Sequence, residues 1–127
     1  MHIVNALRTI LDWKDHDYDL SRKLSSLRFA TQSFERHLDR LMAIEEHEGY
    51  MEVIGHSSPE LQSAVGTLQQ EHVQLRTTLN DIVHRLDTLS PTDHAGYGKV
   101  CAELAAFFDR VDGHNRKETE LLARALL

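Results

Sequence analysis

The amino-acid sequence predicts an all-α protein, specifically an antiparallel, up-down-up-down four-helix bundle. Apolar residues recur at steps of three and four in four separate stretches, which is the spacing of one buried helix face. The chain contains only two prolines and six glycines, and none of them occurs before residue 49. Leucine, alanine, glutamate, glutamine and arginine together outnumber valine, isoleucine and the aromatic residues, a composition that favours helices over strands.

The N-terminal half of the chain is predicted to form the first two helices. The first apolar face comprises Ile3, Ala6, Ile10, Trp13, His16, Leu20, Leu24 and Leu27. The second apolar face comprises Phe34, Leu38, Leu41, Glu45 and Glu48. We predict that the connection between them lies at residues 29–33, where Thr31 or Ser33 can cap a helix. The sequence leaves open one long helix through this region, or an earlier break near residues 15–17.

The C-terminal half is predicted to form the third and fourth helices. The third apolar face comprises Leu61, Val65, Leu68, His72, Leu75, Leu79, Ile82, Leu86 and Leu89. The fourth comprises Val100, Leu104, Phe107, Val111, His114, Glu118, Leu121 and Ala125. Ser58 and Pro59 mark the start of the third helix, and the segment 89–98 connects it to the fourth. Four helices of about 25 residues with short connections favour the up-down-up-down arrangement.

The length and charge of the chain restrict its class. The 127 residues suffice for one domain, residues 1–127, with one core. A formal net charge of −6 argues against a nucleic-acid partner. The absence of an apolar run of about 18 residues argues against a membrane-spanning segment. Cys101 is the only cysteine and no signal-peptide pattern follows Met1, so we expect a cytoplasmic protein; the sequence gives no indication of the oligomeric state.

Polar residues interrupt the predicted apolar faces at six positions. They are His16, Glu45, Glu48, His72, His114 and Glu118. Residues at one level of an antiparallel helix pair lie equally far from the connecting turn. By this rule the predicted connections bring five of the six to one layer, namely His16, Glu45, His72, His114 and Glu118. Glu48 is expected near the end of its helix and therefore close to solvent.

A buried layer of this composition is chemically suited to a metal ion. A buried ionised carboxylate costs several kcal/mol unless it is paired, and a second one beside it would take up a proton. A divalent cation removes both problems, and imidazole with carboxylate ligands suits iron, manganese or zinc. The sequence therefore predicts these five residues as metal ligands. We interpret His2, His47, His56, His84 and His94 as surface or turn residues, and Glu46 as part of a solvated acidic run.

At these residues the chain resembles the hemerythrin-like family with its HHE cation-binding domain. That family carries a histidine on the first helix, His-x-x-x-Glu on the second, a histidine often preceded by glutamate on the third, and His-x-x-x-Glu on the fourth. The matching elements are Trp13-Lys14-Asp15-His16, the segment 41–50, Glu71-His72 with Leu75, and His114-Asn115-Arg116-Lys117-Glu118. The resemblance covers nearly the whole chain and implies a four-helix bundle around two non-haem iron ions.

The chain departs from the family pattern in its second helix. Leu41 stands where the family has a histidine, four residues before Glu45, and taking Glu48 as the glutamate places Ile44 there instead. One iron would then lack a nitrogen ligand. Either His37, water or a carboxylate fills the position, or the second iron is weakly bound or absent.

The resemblance implies that the chain binds or senses a small diatomic ligand such as dioxygen or nitric oxide. No nucleophile or acid–base set independent of the metal is visible, so an enzymatic reaction is not predicted. Two other hypotheses remain open. One is a metal-free bundle that acts as a regulatory or interaction module, in which the polar layer only sets the helix register. The other is a phosphotransfer bundle built on His114 and Lys117, which requires an exposed histidine.

Overall fold

The protein is all-α, as the sequence predicts. The computed structural model describes residues 5, 7, 8, 20–47, 49–56 and 58–126. Every described residue outside the connections is helical, and none of them lies in a strand. The named helices are α1 (Leu20–His47), α2 (Tyr50–Ile54), α3 (Pro59–Thr88) and α4 (His94–Leu126). None of the helices in this part of the chain is long and apolar enough to cross a membrane.

The predicted connection at residues 29–33 is wrong, because α1 continues without a break from Leu20 to His47. Thr31 does not cap a helix; it lies in the middle of α1 and is only 1% exposed. Neither proline nor glycine interrupts this segment, and its buried residues form one continuous face. His16 was expected level with Glu45 because both lie equally far from a turn at residues 29–33. Without that turn, this reason for placing His16 in the layer is lost. His16 itself, and the open alternative of a break near residues 15–17, lie outside the described residues.

The two later connections lie where the sequence predicts them, and a side-chain cap marks the end of each. The second is shorter than the predicted segment 89–98, because α4 already begins at His94. The Ser58 hydroxyl accepts a hydrogen bond from the backbone N–H of Leu61 at 3.2 Å, and Pro59 is the first residue of α3. Asp93 accepts a hydrogen bond from the backbone N–H of Gly96 at 2.8 Å, at the start of α4. A Cβ atom at Gly96 would overlap the Asp93 carboxylate, so a larger residue there would displace this cap.

Helix α3 is antiparallel to both α1 and α4. Arg28, near the start of α1, donates a hydrogen bond of 2.6 Å to the carbonyl of Leu86, near the end of α3. Glu60, at the start of α3, pairs at 2.8 Å with Arg124, near the end of α4. The middle of α3 therefore faces the C-terminal part of α1 on one side and the middle of α4 on the other.

The core consists of two apolar clusters with a polar layer between them. The larger cluster includes Leu24, Leu27, Phe34, Leu38, Leu75, Leu79, Leu104, Phe107, Phe108 and Val111. The smaller cluster comprises Met51, Ile54, Val65, Leu68 and Leu121. The predicted third and fourth apolar faces are buried throughout, except for partly exposed residues at the helix ends. In α1, however, Met42 is buried whereas the predicted face residue Leu41 is partly exposed.

Candidate metal centre

Two histidines from neighbouring helices meet in the polar layer. His72 on α3 is 0% exposed, and His114 on α4 is 4% exposed. Their ring centroids lie 4.7 Å apart, and the ring planes are tilted by 52°. Each replaces an apolar residue on the buried face of its helix, between Leu68 and Leu75 on α3 and after Val111 on α4. The helix periodicity alone therefore carries both imidazoles into the core.

A carboxylate holds the Nδ1 atom of each histidine. His72 Nδ1 lies 2.8 Å from Glu46 Oε1, and His114 Nδ1 lies 2.9 Å from Glu71 Oε1. An ionised carboxylate only accepts hydrogen bonds, so each Nδ1 carries the hydrogen and donates it. Lys117 donates to the other oxygen of Glu71 at 2.5 Å and so fixes that carboxylate. In the neutral imidazoles this leaves the Nε2 lone pair directed into the layer, the arrangement found at metal-binding histidines.

The Nε2 atoms of His72 and His114 are both buried, and that of His72 lacks a hydrogen-bond partner among the described residues. His114 Nε2 faces the carboxylate of Glu118, with 2.7 Å between Nε2 and Oε1. His72 Nε2 lies 3.8 Å from Glu45 Oε1, which is beyond hydrogen-bond distance. A buried polar atom without a partner costs about 1–3 kcal/mol, and a cation between these atoms would remove that cost.

Two carboxyl groups of the layer share one proton. Burial, a hydrogen bond to Glu118 and the charge of Glu118 raise the pKa of Glu45 to about 9. Burial alone would raise the pKa of Glu118 as well, but contacts with His114, Glu45 and Tyr50 lower it to about 2. At neutral pH Glu45 therefore keeps its proton and Glu118 is ionised, as expected for two carboxyls that cannot both be charged.

The pKa values of the two histidines shift in opposite directions. Burial lowers the pKa of His72 and outweighs the hydrogen bond to Glu46. Burial also opposes a charge on His114, but hydrogen bonds to Glu118 and Glu71 raise the pKa of His114 above its ordinary value. His114 thus partly balances the charge of Glu118 in the way that a cation would.

The donor atoms are close enough together to bind one ion. One ligand atom each from His72, His114 and Glu118 lies within 4.8 Å of the others. Atoms bound to one metal at about 2.1 Å lie about 3.4 Å apart in tetrahedral geometry, so the most widely spaced pair has to approach by up to about 1.4 Å. Two imidazole nitrogens and a carboxylate oxygen suit iron, manganese or zinc, and Glu45 offers a further oxygen.

The structure thus brings together four of the five predicted ligands, Glu45, His72, His114 and Glu118. The fifth, His16, lies outside the described residues, as do Glu48 and His2. The prediction that His47, His56, His84 and His94 are exposed is confirmed. His114 is buried, which argues against the phosphotransfer hypothesis.

Sequence reasoning missed three residues that shape the layer. The interpretation of Glu46 as solvated is wrong, because its side chain is only 16% exposed and contacts His72. Glu71 was noted only as the neighbour of His72, yet it contacts His114 instead. Tyr50 donates a hydrogen bond to Glu118. The equidistance rule, applied to glutamates outside the apolar faces as well as to those on them, would have placed Glu46 and Glu71 at this level.

Comparison with known proteins identifies a family for almost the entire chain. The sequence model of the hemerythrin HHE cation binding domain matches residues 1–126. No curated protein and no solved structure shows a significant match to this sequence.

Proposed function

This chain belongs to the family of hemerythrin HHE cation-binding domains, and on that premise we propose that it holds non-haem iron in the polar layer and binds or senses a small diatomic ligand such as dioxygen or nitric oxide. The observation that carries the proposal is the pair of buried imidazoles. Both have Nδ1 held by a carboxylate and Nε2 buried in the layer, where His72 Nε2 has no hydrogen-bond partner among the described residues and His114 Nε2 faces the carboxylate of Glu118. A bundle that needed the histidines only for packing would gain nothing from this arrangement.

The ligands that we propose are the Nε2 atoms of His72 and His114 with the carboxylates of Glu118 and Glu45. Glu46 and Glu71 fix the rings so that Nε2 is the atom available to the metal. Binding of a cation removes the need for the proton that Glu45 holds in the metal-free protein.

We further propose that the N-terminal segment forms the fourth helix of a hemerythrin-like bundle and contributes His16 to a second iron position. Two described residues support the packing of this segment. Leu7 is 0% exposed within the larger apolar cluster, and Arg8 donates a hydrogen bond of 2.8 Å to Asp112 on α4. Leu41 leaves this second position short of a nitrogen ligand, so we expect it to bind iron more weakly.

The surroundings of the layer suit a small ligand. When bound, iron supplies the redox and ligand-binding chemistry, and the chain supplies geometry and a dry pocket. The two apolar clusters above and below the layer exclude bulk water. A cleft of about 310 Å³ between α3 and α4 reaches His114 beside Gly113 and Lys117. A cleft of this size leads a molecule of a few atoms towards the buried ring.

Metal analysis of the purified protein tests this function. We expect iron in the wild-type protein after aerobic or anaerobic loading and a large loss of bound iron in His114→Ala, because an Nε2 ligand is removed. His47→Ala and His94→Ala are matched controls, since both histidines are exposed. Far-ultraviolet circular dichroism verifies that each variant is folded. Equal metal content in all three variants, or a wild-type protein that takes up no metal, would instead support a metal-free bundle that acts as a regulatory or interaction module.

A further inference from the structure

The hydroxyl group of Tyr50 lies inside the polar layer. It donates a hydrogen bond to Glu118 Oε2, and the other oxygen of the same carboxylate lies 2.7 Å from His114 Nε2. The phenol oxygen is therefore separated from the His114 nitrogen only by the width of one carboxylate. Burial, the hydrogen bond to Glu118 and the charges of Glu118 and Glu45 raise the pKa of Tyr50 above its ordinary value, so the phenol keeps its proton when no cation is bound.

Backbone packing fixes Tyr50 at this place. A Cβ atom at Gly49 would lie 3.0 Å from the Ile44 carbonyl oxygen and 3.1 Å from the Glu45 Cα, so the chain turns tightly against the end of α1. The short helix α2 starts at Tyr50 and is anchored by Met51 and Ile54, which are 2% and 7% exposed.

The ring of Tyr50 packs against the smaller apolar cluster, to which both anchors belong. The apolar body of the side chain is thus held on one side of the layer, and its hydroxyl group projects towards the ligands. The hydroxyl group of a buried tyrosine usually takes a hydrogen-bond partner, and here that partner is the carboxylate of a proposed metal ligand.

We propose that Tyr50 is a direct ligand, as a phenolate, of a ferric ion bound by His72, His114 and Glu118. This inference rests on the proposed function. On binding, the phenol O–H bond breaks, an iron–oxygen bond forms, the proton is released to solvent, and no electron is transferred. A bound cation favours such deprotonation, as it does for thiols and water. Tyrosine is also a known ligand of iron in haem proteins.

The charge of the layer is consistent with this ligand set. A ferric ion carries three positive charges, and the two imidazoles are neutral when bound. The carboxylates of Glu118 and Glu45 supply two negative charges, and the Tyr50 phenolate supplies the third. The layer then has no net charge, and burying a net charge between two apolar clusters is costly. Without Tyr50 a buried positive charge remains.

Visible absorption and resonance Raman spectroscopy of the ferric-loaded protein test the proposal. A ferric phenolate gives a charge-transfer band in the visible region, and excitation in that band enhances the ring vibrations of the bound tyrosine. The chain contains three tyrosines, Tyr18, Tyr50 and Tyr97. We expect the band and the ring vibrations in the wild type and in the double variant Tyr18→Phe/Tyr97→Phe, which keeps Tyr50 alone. We expect both to be absent in Tyr50→Phe, with iron content measured separately.

The outcomes separate this inference from the function on which it rests. Iron bound by the wild type without tyrosine ring vibrations would overturn the role of Tyr50 and leave the iron site intact. Loss of the vibrations in the double variant, or their persistence in Tyr50→Phe, would also overturn it. A wild type that binds no iron would overturn both proposals. If Tyr50→Phe fails to hold iron, the double variant still decides the matter, because Tyr50 is then the only tyrosine that can give the signal.

Discussion

The carboxyl pair of the polar layer destabilises the metal-free protein at neutral pH, and we expect Glu45→Gln to increase its free energy of unfolding. Glu45 titrates at about 9 in the folded protein but near 4.5 in the unfolded chain. A raised carboxyl pKa has almost no effect on the free energy of unfolding below pH 4.5. It lowers that free energy increasingly as the pH rises towards 9, because the carboxyl group ionises in the unfolded chain but not in the folded protein. Between pH 4.5 and 7 this cost reaches about 3 kcal/mol, at about 1.4 kcal/mol per pH unit.

The expected gain follows from this cost. Because the Glu45 side chain is 18% exposed, we reduce the expected gain of Glu45→Gln at pH 7 to about 2–3 kcal/mol. Glutamine is neutral, has the shape of the protonated acid, and keeps a donor for Glu118. At pH 4.5 the gain should fall below about 0.5 kcal/mol, since wild-type Glu45 is then protonated in the folded protein and half protonated in the unfolded chain.

Urea denaturation of the metal-free proteins at the two pH values measures the effect. Glu120→Gln is the matched control, because Glu120 is an exposed glutamate one half-turn beyond Glu118 on α4. It should change the free energy of unfolding equally little at both pH values. In iron-loaded protein the sign should reverse, since Glu45→Gln removes a charged ligand. A Glu45→Gln protein that is no more stable than the wild type at pH 7, or equally stabilised at both pH values, would refute the reasoning.

Three further predictions concern the supporting residues. Glu46→Gln and Glu71→Gln should each weaken iron binding by about 10–100-fold in chelator competition, because the carboxylates orient the two histidines. The control Glu120→Gln should leave the affinity unchanged. An unchanged affinity in Glu46→Gln and Glu71→Gln would contradict the prediction. Leu41→His should raise the iron content per chain by restoring a nitrogen donor; unchanged iron with a lower melting temperature, loaded or not, would favour a metal-free bundle. Thr31→Val should stabilise the protein by about 1 kcal/mol in urea denaturation, because the buried Thr31 hydroxyl has no hydrogen-bond partner among the described residues; a loss of stability would show that it has one.

The C-terminal half of the fold was predictable because its signals are local. The Ser58-Pro59 start and the break after Thr88 depend on interactions within a few residues of chain. The apolar period of α3 and α4 specifies which face is buried, and it places His72 and His114 there. The equal distance of these histidines from their shared connection was sufficient to predict their contact.

The N-terminal half was not predictable in the same way. The segment 29–33 offers two residues that are able to cap a helix, but a cap residue permits a helix end and does not enforce one. The buried face of α1 passes through Thr31 because packing against α3 stabilises a continuous helix, although a hydroxyl group is buried there. The equidistance rule placed His16 level with Glu45 only on the assumption of a connection at residues 29–33, which the structure does not contain.

The sequence by itself determined that the chain is helical, which faces are buried, and that histidines and carboxylates interrupt those faces. These properties depend on the period of a single helix. Only the tertiary structure decided that Glu46 and Glu71 hold the Nδ1 atoms, that Glu45 carries the proton shared with Glu118, and that Tyr50 points into the layer. These depend on the relative rotation and height of packed helices. A rotation of one residue changes a side chain's direction by about 100° with no change in the apolar period.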